Sequence, residues 1–255
     1  MQLRMLRTRS GATMLEAADS VARTDSTISR LETGHVSVSH GVLEKLCDLY
    51  GASPEERNAL RVLAKEARQR GWWQAHSDRL PPGFGTYLGL ETEAGSVSVY
   101  APGAVPGFLQ SAEYARVLAA EDLATRLAIN QGRRQRLAGK DVDVVLHEGG
   151  LRQQIGGRAV MAQQLGLLLE QDVRVVPFSA GAFAGMSGGG FTVLATPLGS
   201  GAAYAAVYLE GLVTGTVLDR QAQVEPYKEA FRNLPALDRP GSRTLIAGII
   251  DELAG

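Results

Sequence analysis

The stretch Ser26-Thr-Ile-Ser-Arg-Leu-Glu-Thr-Gly34 decides how the N-terminal part of this chain is read. Ile28 and Leu31 stand three apart, the inward pair of a short helix over Asp25 to Thr33. Ser26, Thr27, Ser29 and Arg30 then fall on its outer, polar side. Thr24 is suited to cap the helix and Gly34 to close it. Small polar side chains on an exposed helix approach base edges closely, and an arginine supplies a bidentate or phosphate contact. The same residues also fit a plain helical bundle with a solvated polar helix.

The flanking sequence carries the punctuation of a helix-turn-helix. Leu3 and Leu6 belong to a first helix that ends at Gly11, and Thr13 caps a second carrying Leu15, Ala18 and Val21. Ala22-Arg23 breaks the chain before the helix that Thr24 caps. A fourth helix carries Val42, Leu43, Leu46, Leu49 and Tyr50 and stops at Gly51. Ser53 before Pro54 predicts a fifth, running to about Arg70 with Glu55 and Glu56 in its first turn. Thr13, Thr24, Ser26, Thr27, Ser29 and Arg30 are the expected DNA-contacting residues. Residues 3–70 resemble the Xre (lambda-repressor-like) helix-turn-helix family, whose recognition helix bears an STISRIETG-type signature. That resemblance implies binding to double-stranded DNA as a symmetric dimer. Two positions depart from it: Ala22 stands where the family's tight turn has glycine, and Asp25 adds an acid to the recognition helix.

Composition bounds what else the chain can be. Its 255 residues suffice for one large domain or two small ones, and 45% hydrophobic with 21% charged residues is an ordinary globular balance. The net charge of −1 excludes a wholly basic coat for nucleic acid but hides asymmetry. Residues 1–70 hold 11 cations against 9 carboxylates, net +2, and the remainder is −3. One cysteine, Cys47, excludes an internal disulfide and a cysteine-rich zinc site, and it reads as a small core residue. No stretch approaches a membrane span and no signal-peptide core is present, so a cytoplasmic protein is expected.

From Gly71 the style changes. Residues 71–84, with Trp72, Trp73 and the run Asp78-Arg-Leu-Pro-Pro-Gly-Phe84, form a Pro/Gly-rich joint before a larger domain over 85–255. Spacing predicts a helix over Tyr87 to Val99 and an extended connector from Tyr100. Further helices fall at Ser111–Ala120, Glu121–Ala138, Gly157–Gln171, Gln221–Asn233 and Ser242–Leu253. Five strands follow from apolar runs at Val142–Leu146, Val173–Phe178, Phe191–Thr196, Ala203–Leu209 and Leu212–Leu218. The fold class is therefore α+β: an all-α helix-turn-helix bundle, then a mixed α/β domain with a roughly five-stranded sheet.

This half also resembles a known family. The segments Tyr100…Val105-Pro-Gly-Phe-Leu-Gln110, Leu146-His-Glu-Gly-Gly-Leu-Arg152, Val176-Pro-Phe-Ser-Ala-Gly181 and Tyr208-Leu-Glu-Gly211 look like the DUF5753 domain that follows Xre helix-turn-helix domains. The resemblance implies a sensor of a ligand or partner. His147 stands where that family commonly has aspartate, and Val217 where it often has tyrosine.

No nucleotide, hydrolase or zincin motif is present, so neither cofactor nor metal is expected. His35 and His40, five apart in the loop after the recognition helix, lack a carboxylate or cysteine partner at metal spacing. Gly185-Met-Ser-Gly-Gly-Gly190 leads into a strand rather than a helix, which suits a flexible loop or lid and not a phosphate cradle. The candidate ligand residues are Trp72, Trp73, Tyr100, Phe178, Phe183, Met186, Tyr208 and Glu210, the last two sharing a strand face. Such a lining suits a small apolar molecule or a protein partner. Arg133-Arg-Gln-Arg136 reads as a solvated basic face, or as a site for DNA phosphates, an acidic partner or an anionic ligand.

Two functions follow. One is a homodimeric DNA-binding regulator whose C-terminal domain senses a small molecule or partner. The alternative is a regulator scaffold recruited as a cofactor-independent enzyme, cyclising or rearranging a substrate in an apolar pocket with His147 and Glu148 as acid and base.

Overall fold

A computed structural model describes all residues except 1, 33–37, 39, 69–71, 120–121, 184 and 198–202. For 26, 30, 40, 65–68 and 203 it describes the backbone alone. The chain divides into two compact units, Met1–Ala75 and His76–Gly255.

The first unit is helical: α1 (Gln2–Ser10), α2 (Met14–Ser20), α3 (Asp25–Glu32), α4 (His40–Leu49) and α5 (Pro54–Arg68). Its core joins Leu3 and Leu6 to Ala17, Ala18, Val21, Ile28, Leu43, Leu46 and Leu60. Cys47 lies fully inside it, and burial pushes its thiol up. The caps are local chemistry. Thr13 accepts from the Glu16 amide at 3.2 Å while the Glu16 carboxylate accepts from the Thr13 amide at 2.8 Å. Ser53 and Glu56 repeat this box at the start of α5. Both α2 and α4 end in the same hydrogen-bonded turn: Arg23 N to Ala18 O and Ala22 N to Asp19 O in one, Ala52 N to Cys47 O and Gly51 N to Asp48 O in the other. The left-handed position is glycine in α4 (Gly51, φ 62°) and alanine in α2 (Ala22, φ 52°).

The second unit contains α6 (Phe84–Glu93), β1 (Ser96–Ala101), α7 (Ala112–Leu118), α8 (Leu123–Leu137), β2 (Asp141–His147), α9 (Glu148–Arg152), α10 (Arg158–Leu169), β3 (Val173–Val176), β4 (Phe191–Pro197), β5 (Ala203–Leu209), β6 (Thr216–Leu218), α11 (Gln221–Arg232) and α12 (Arg239–Ala254). The strands form one six-stranded sheet in the order β3-β2-β1-β4-β5-β6. β1, β2 and β3 are parallel, and β4, β5 and β6 follow antiparallel. One face carries Tyr100, Val145, Val176, Phe191, Val193 and Val207 against Val224 and Phe231 of α11. The other carries Val99, Thr192 and Tyr208, paired in register across β1, β4 and β5.

Two expectations are corrected here. The helix read over Tyr87 to Val99 ends at Glu93, and residues 96–101 are a strand, which makes six strands where five were expected. The i, i+4, i+7 spacing of Leu90, Ala94 and Val97 runs from a helix end into a strand start. The choice is made by neighbours far along the chain. Gly95 donates to Ala195 O at 2.8 Å, and β1 then pairs on both sides. A Cβ at Gly95 would lie 2.8 Å from Pro197 Cδ, so glycine permits this close approach. The last strand, expected from Leu212, begins only at Thr216. Leu212 and Val213 are exposed in the preceding loop, whose Gly215 amide donates instead to Pro82 O at 2.9 Å.

Candidate functional site

The third helix of the first unit starts where Thr24 caps it, its carbonyl accepting from the amides of Thr27 and Ile28 at 2.9 and 3.1 Å. The hydroxyls of Thr24 and Thr27 lie 3.0 Å apart. Ile28 is fully buried, whereas Thr24 and Asp25 are exposed and Thr27 and Ser29 half-exposed, so these side chains share the outward side. The side chains of Ser26 and Arg30 lie outside the described residues. Thr13 is exposed, but its hydroxyl is engaged in the capping box, donating to Glu16 at 2.9 Å.

Glu32, at the end of α3, positions that helix, and sequence reasoning passed over it. Its side chain is 1% exposed and receives both Arg7 Nε at 2.7 Å and Arg7 Nη2 at 3.0 Å. That ion pair fastens the helix to α1. Its signal was present: Glu32 follows Ile28 by four residues and so shares the inward face. Other cations of the unit are also engaged. Arg57 and Arg61 hold the Glu44 carboxyl down to about 2, and Arg9 does the same for Glu56. Arg23, at the turn into α3, and Lys45 are exposed.

In the second unit, part of the expected ligand set converges at the carboxyl ends of the parallel strands. The strand order reverses between β1 and β4, the kind of crevice where open α/β sheets bind ligands. Tyr100 is next to last in β1 and His147 ends β2, on the α11 face. Phe178 follows β3, and Phe183 lies in the loop before β4. Phe183 stacks on His147 (centroids 6.3 Å, 28°) and meets Tyr100 edge-on at 6.2 Å. Phe178 meets His147 edge-on at 5.7 Å. Phe191 adds a ring 5.6 Å from Tyr100 and 5.1 Å from Tyr227 of α11. Tyr227 was missed, although its spacing with Val224 and Phe231 marks one helix face. Phe178, beside His147, remains 56% exposed, and Met186, in the glycine-rich loop, 54%.

The acidic neighbour of His147 has a different task. Glu148 is buried; it accepts from Arg152 Nε at 2.7 Å and from the Phe178 amide at 2.7 Å. It therefore ties the end of β2 to the end of β3 and positions Phe178. No hydrogen bond joins it to His147 among the described residues. His147 Nδ1 instead accepts the Gly149 amide at 3.0 Å.

The remaining expected residues lie elsewhere. Tyr208 faces the opposite side of the sheet, stacked on Tyr87 at 4.2 Å and 17°. Burial there pushes its hydroxyl up to about 12. Glu210 lies one residue beyond β5, exposed, so the two do not line one ligand surface with Tyr100 and His147. Trp72 and Trp73 form an edge-on pair at 5.7 Å within the first unit.

Within the basic run on α8, Arg133 is not solvated, whereas Arg134 and Gln135 are exposed. Arg133 is 7% exposed, donates twice to Glu91 at 2.9 and 2.7 Å, and sits over the rings of Tyr87 and Phe108. Burial opposes its charge, but Tyr87 and Glu91 hold the proton on more firmly than usual. Arg134 donates to the carbonyls of Phe108 and Gln110. Gln110 in turn bonds Val105 O at 2.7 Å, and Gln164 receives the Ser111 amide at 2.7 Å. The Val105–Gln110 signature thus braces the loop after β1 rather than presenting side chains to a ligand.

Residues 1–60 match the model of a helix-turn-helix domain. Residues 84–248 match a model described as a domain of unknown function, DUF5753. Comparisons with curated proteins and with solved structures return no match. With most of its length under that second model, the chain belongs to the DUF5753 family, carrying the domain behind a helix-turn-helix.

Proposed function

We propose that this protein is a transcriptional regulator that reads duplex DNA through α3 and binds a small molecule at the carboxyl ends of β1 and β2. The observation that carries the reading is the pairing of two features in one chain. A helix-turn-helix has its polar third helix turned outward. A second unit has His147 and several rings gathered at the point where strand order reverses. Contacts would come from Thr24, Ser26, Thr27, Ser29 and Arg30, with Arg23 on phosphate. Two copies would bind two half-sites about 34 Å apart. A ligand regulates only by binding one arrangement of the two units better than another. The test is salt-dependent binding to the protein's own upstream DNA, with sedimentation to count copies. No binding at low salt, specific or non-specific, sinks the proposal.

The enzyme reading has less support. It needs an acid–base pair, and the Glu148 carboxylate is bound to Arg152 and to the Phe178 amide.

A further inference from the structure

The open aromatic mouth also carries information about what enters it; the step below rests on the ligand-binding reading above. Two donor atoms, His147 Nε2 and the Tyr100 hydroxyl, sit among its rings without a hydrogen-bond partner among the described residues. His147 takes the Gly149 N–H into Nδ1, so the neutral ring keeps its proton on Nε2, as a donor. Tyr100 is 2% exposed as a residue, but its hydroxyl, which no described residue hydrogen-bonds, is not fully enclosed. Both rings touch Phe183, at 6.3 and 6.2 Å, so both donors belong to one neighbourhood. Neither donor is sealed from solvent, so both are free to pair with an acceptor that enters the mouth. Charge does not call for an ionic ligand. Glu148 is held by Arg152, and Arg174, on the same face, is held by Asp143 at 2.7 Å. Glycines keep the backbone close around the mouth: a Cβ at Gly149 would lie 3.1 Å from His147 Nδ1, and one at Gly190 3.1 Å from Tyr100 O.

We propose that the mouth takes a neutral, flat molecule of one or two fused rings bearing a carbonyl-type acceptor. Phe178 and Phe183 supply the stacking surface, and His147 Nε2 and the Tyr100 hydroxyl supply the hydrogen bonds.

The test is calorimetric or ligand-detected NMR titration of the full chain with coumarin and with naphthalene, a ring system of the same size without the acceptor. Coumarin should bind saturably and about ten-fold tighter than naphthalene. Tyr100→Phe and His147→Phe should each weaken coumarin by about three- to ten-fold and leave naphthalene unchanged, the range expected for one hydrogen bond. Phe183→Ala should weaken both. Tyr100→Phe keeps the ring and the strand, so it decides the matter if His147→Phe melts early through loss of the Gly149 contact. Equal affinity for the two probes, indifference of coumarin to Tyr100→Phe, or no saturable binding of either probe overturns the inference. DNA binding is measured separately without probe. Its loss with coumarin binding intact counts against the regulator, and the reverse counts against the ligand class alone.

Discussion

Ala22 holds a left-handed backbone at the end of α2, in the position that Gly51 holds at the end of α4. The two turns make the same pair of hydrogen bonds. They therefore form an internal control for the residue between them. An L-residue in this conformation costs about 1–2 kcal/mol relative to glycine. Glycine gives back about 0.5–1 kcal/mol through the larger freedom of the unfolded chain. Ala22→Gly should then stabilise the first unit by about 0.5–1 kcal/mol. Gly51→Ala should destabilise it by a similar amount, because a Cβ at Gly51 meets nothing within 4 Å and only the backbone conformation is at stake. For a unit of this size such a change moves the melting midpoint by about 2–8 °C. Circular dichroism and calorimetry on the full chain, following the helical transition, read the shift. A lower midpoint for Ala22→Gly, or no effect of Gly51→Ala, would refute the assignment of strain to Ala22.

Other expectations follow from single contacts. Glu32→Ala strands Arg7 beside the core and should destabilise the first unit by about 2–4 kcal/mol in urea unfolding, with DNA affinity falling in step. The carboxyls of Glu44 and Glu56 sit near 2, well below their usual range, so their ion pairs contribute fully above about pH 5 and are lost as pH falls through about 2. Acid titration of the first unit should show that loss, and an unchanged midpoint between pH 5 and 3 would contradict it. Glu91→Gln leaves the Arg133 charge buried with half its partner and should cost the second unit about 3 kcal/mol or more; a melting curve like the parent's would disprove the buried pair. Arg23→Ala should reduce the slope of log K against log salt for DNA by about 1, and an unaltered slope would remove Arg23 from the phosphate contacts.

The helical bundle was legible because its signals are local. Thr13 with Glu16, Ser53 with Glu56, Gly51, and the inward pair Ile28 and Leu31 each act within one or two turns of chain. The parallel strands β2 and β3 were legible from short apolar runs. β1 was not, because alternation over Ser96 to Val99 competes with helical spacing, and only pairing with Asp141–Leu146 on one side and Phe191–Ala195 on the other settles it. The candidate site was half legible. Tyr100, His147, Phe178 and Phe183 stood out as rings and an imidazole near turns. Which of them meet depends on the sheet.

By itself the sequence determined the two-part organisation, the outward polar helix and the residues able to stack or donate, because composition, capping and periodicity are properties of neighbouring residues. Only the tertiary structure decided which of those residues act together. It placed Tyr208 on the far face from Tyr100 by the parity of the strands, gave Glu148 to Arg152 and Phe178, and buried Arg133 against Glu91. Each of these outcomes depends on partners from distant parts of the chain, and no window of sequence contains both members.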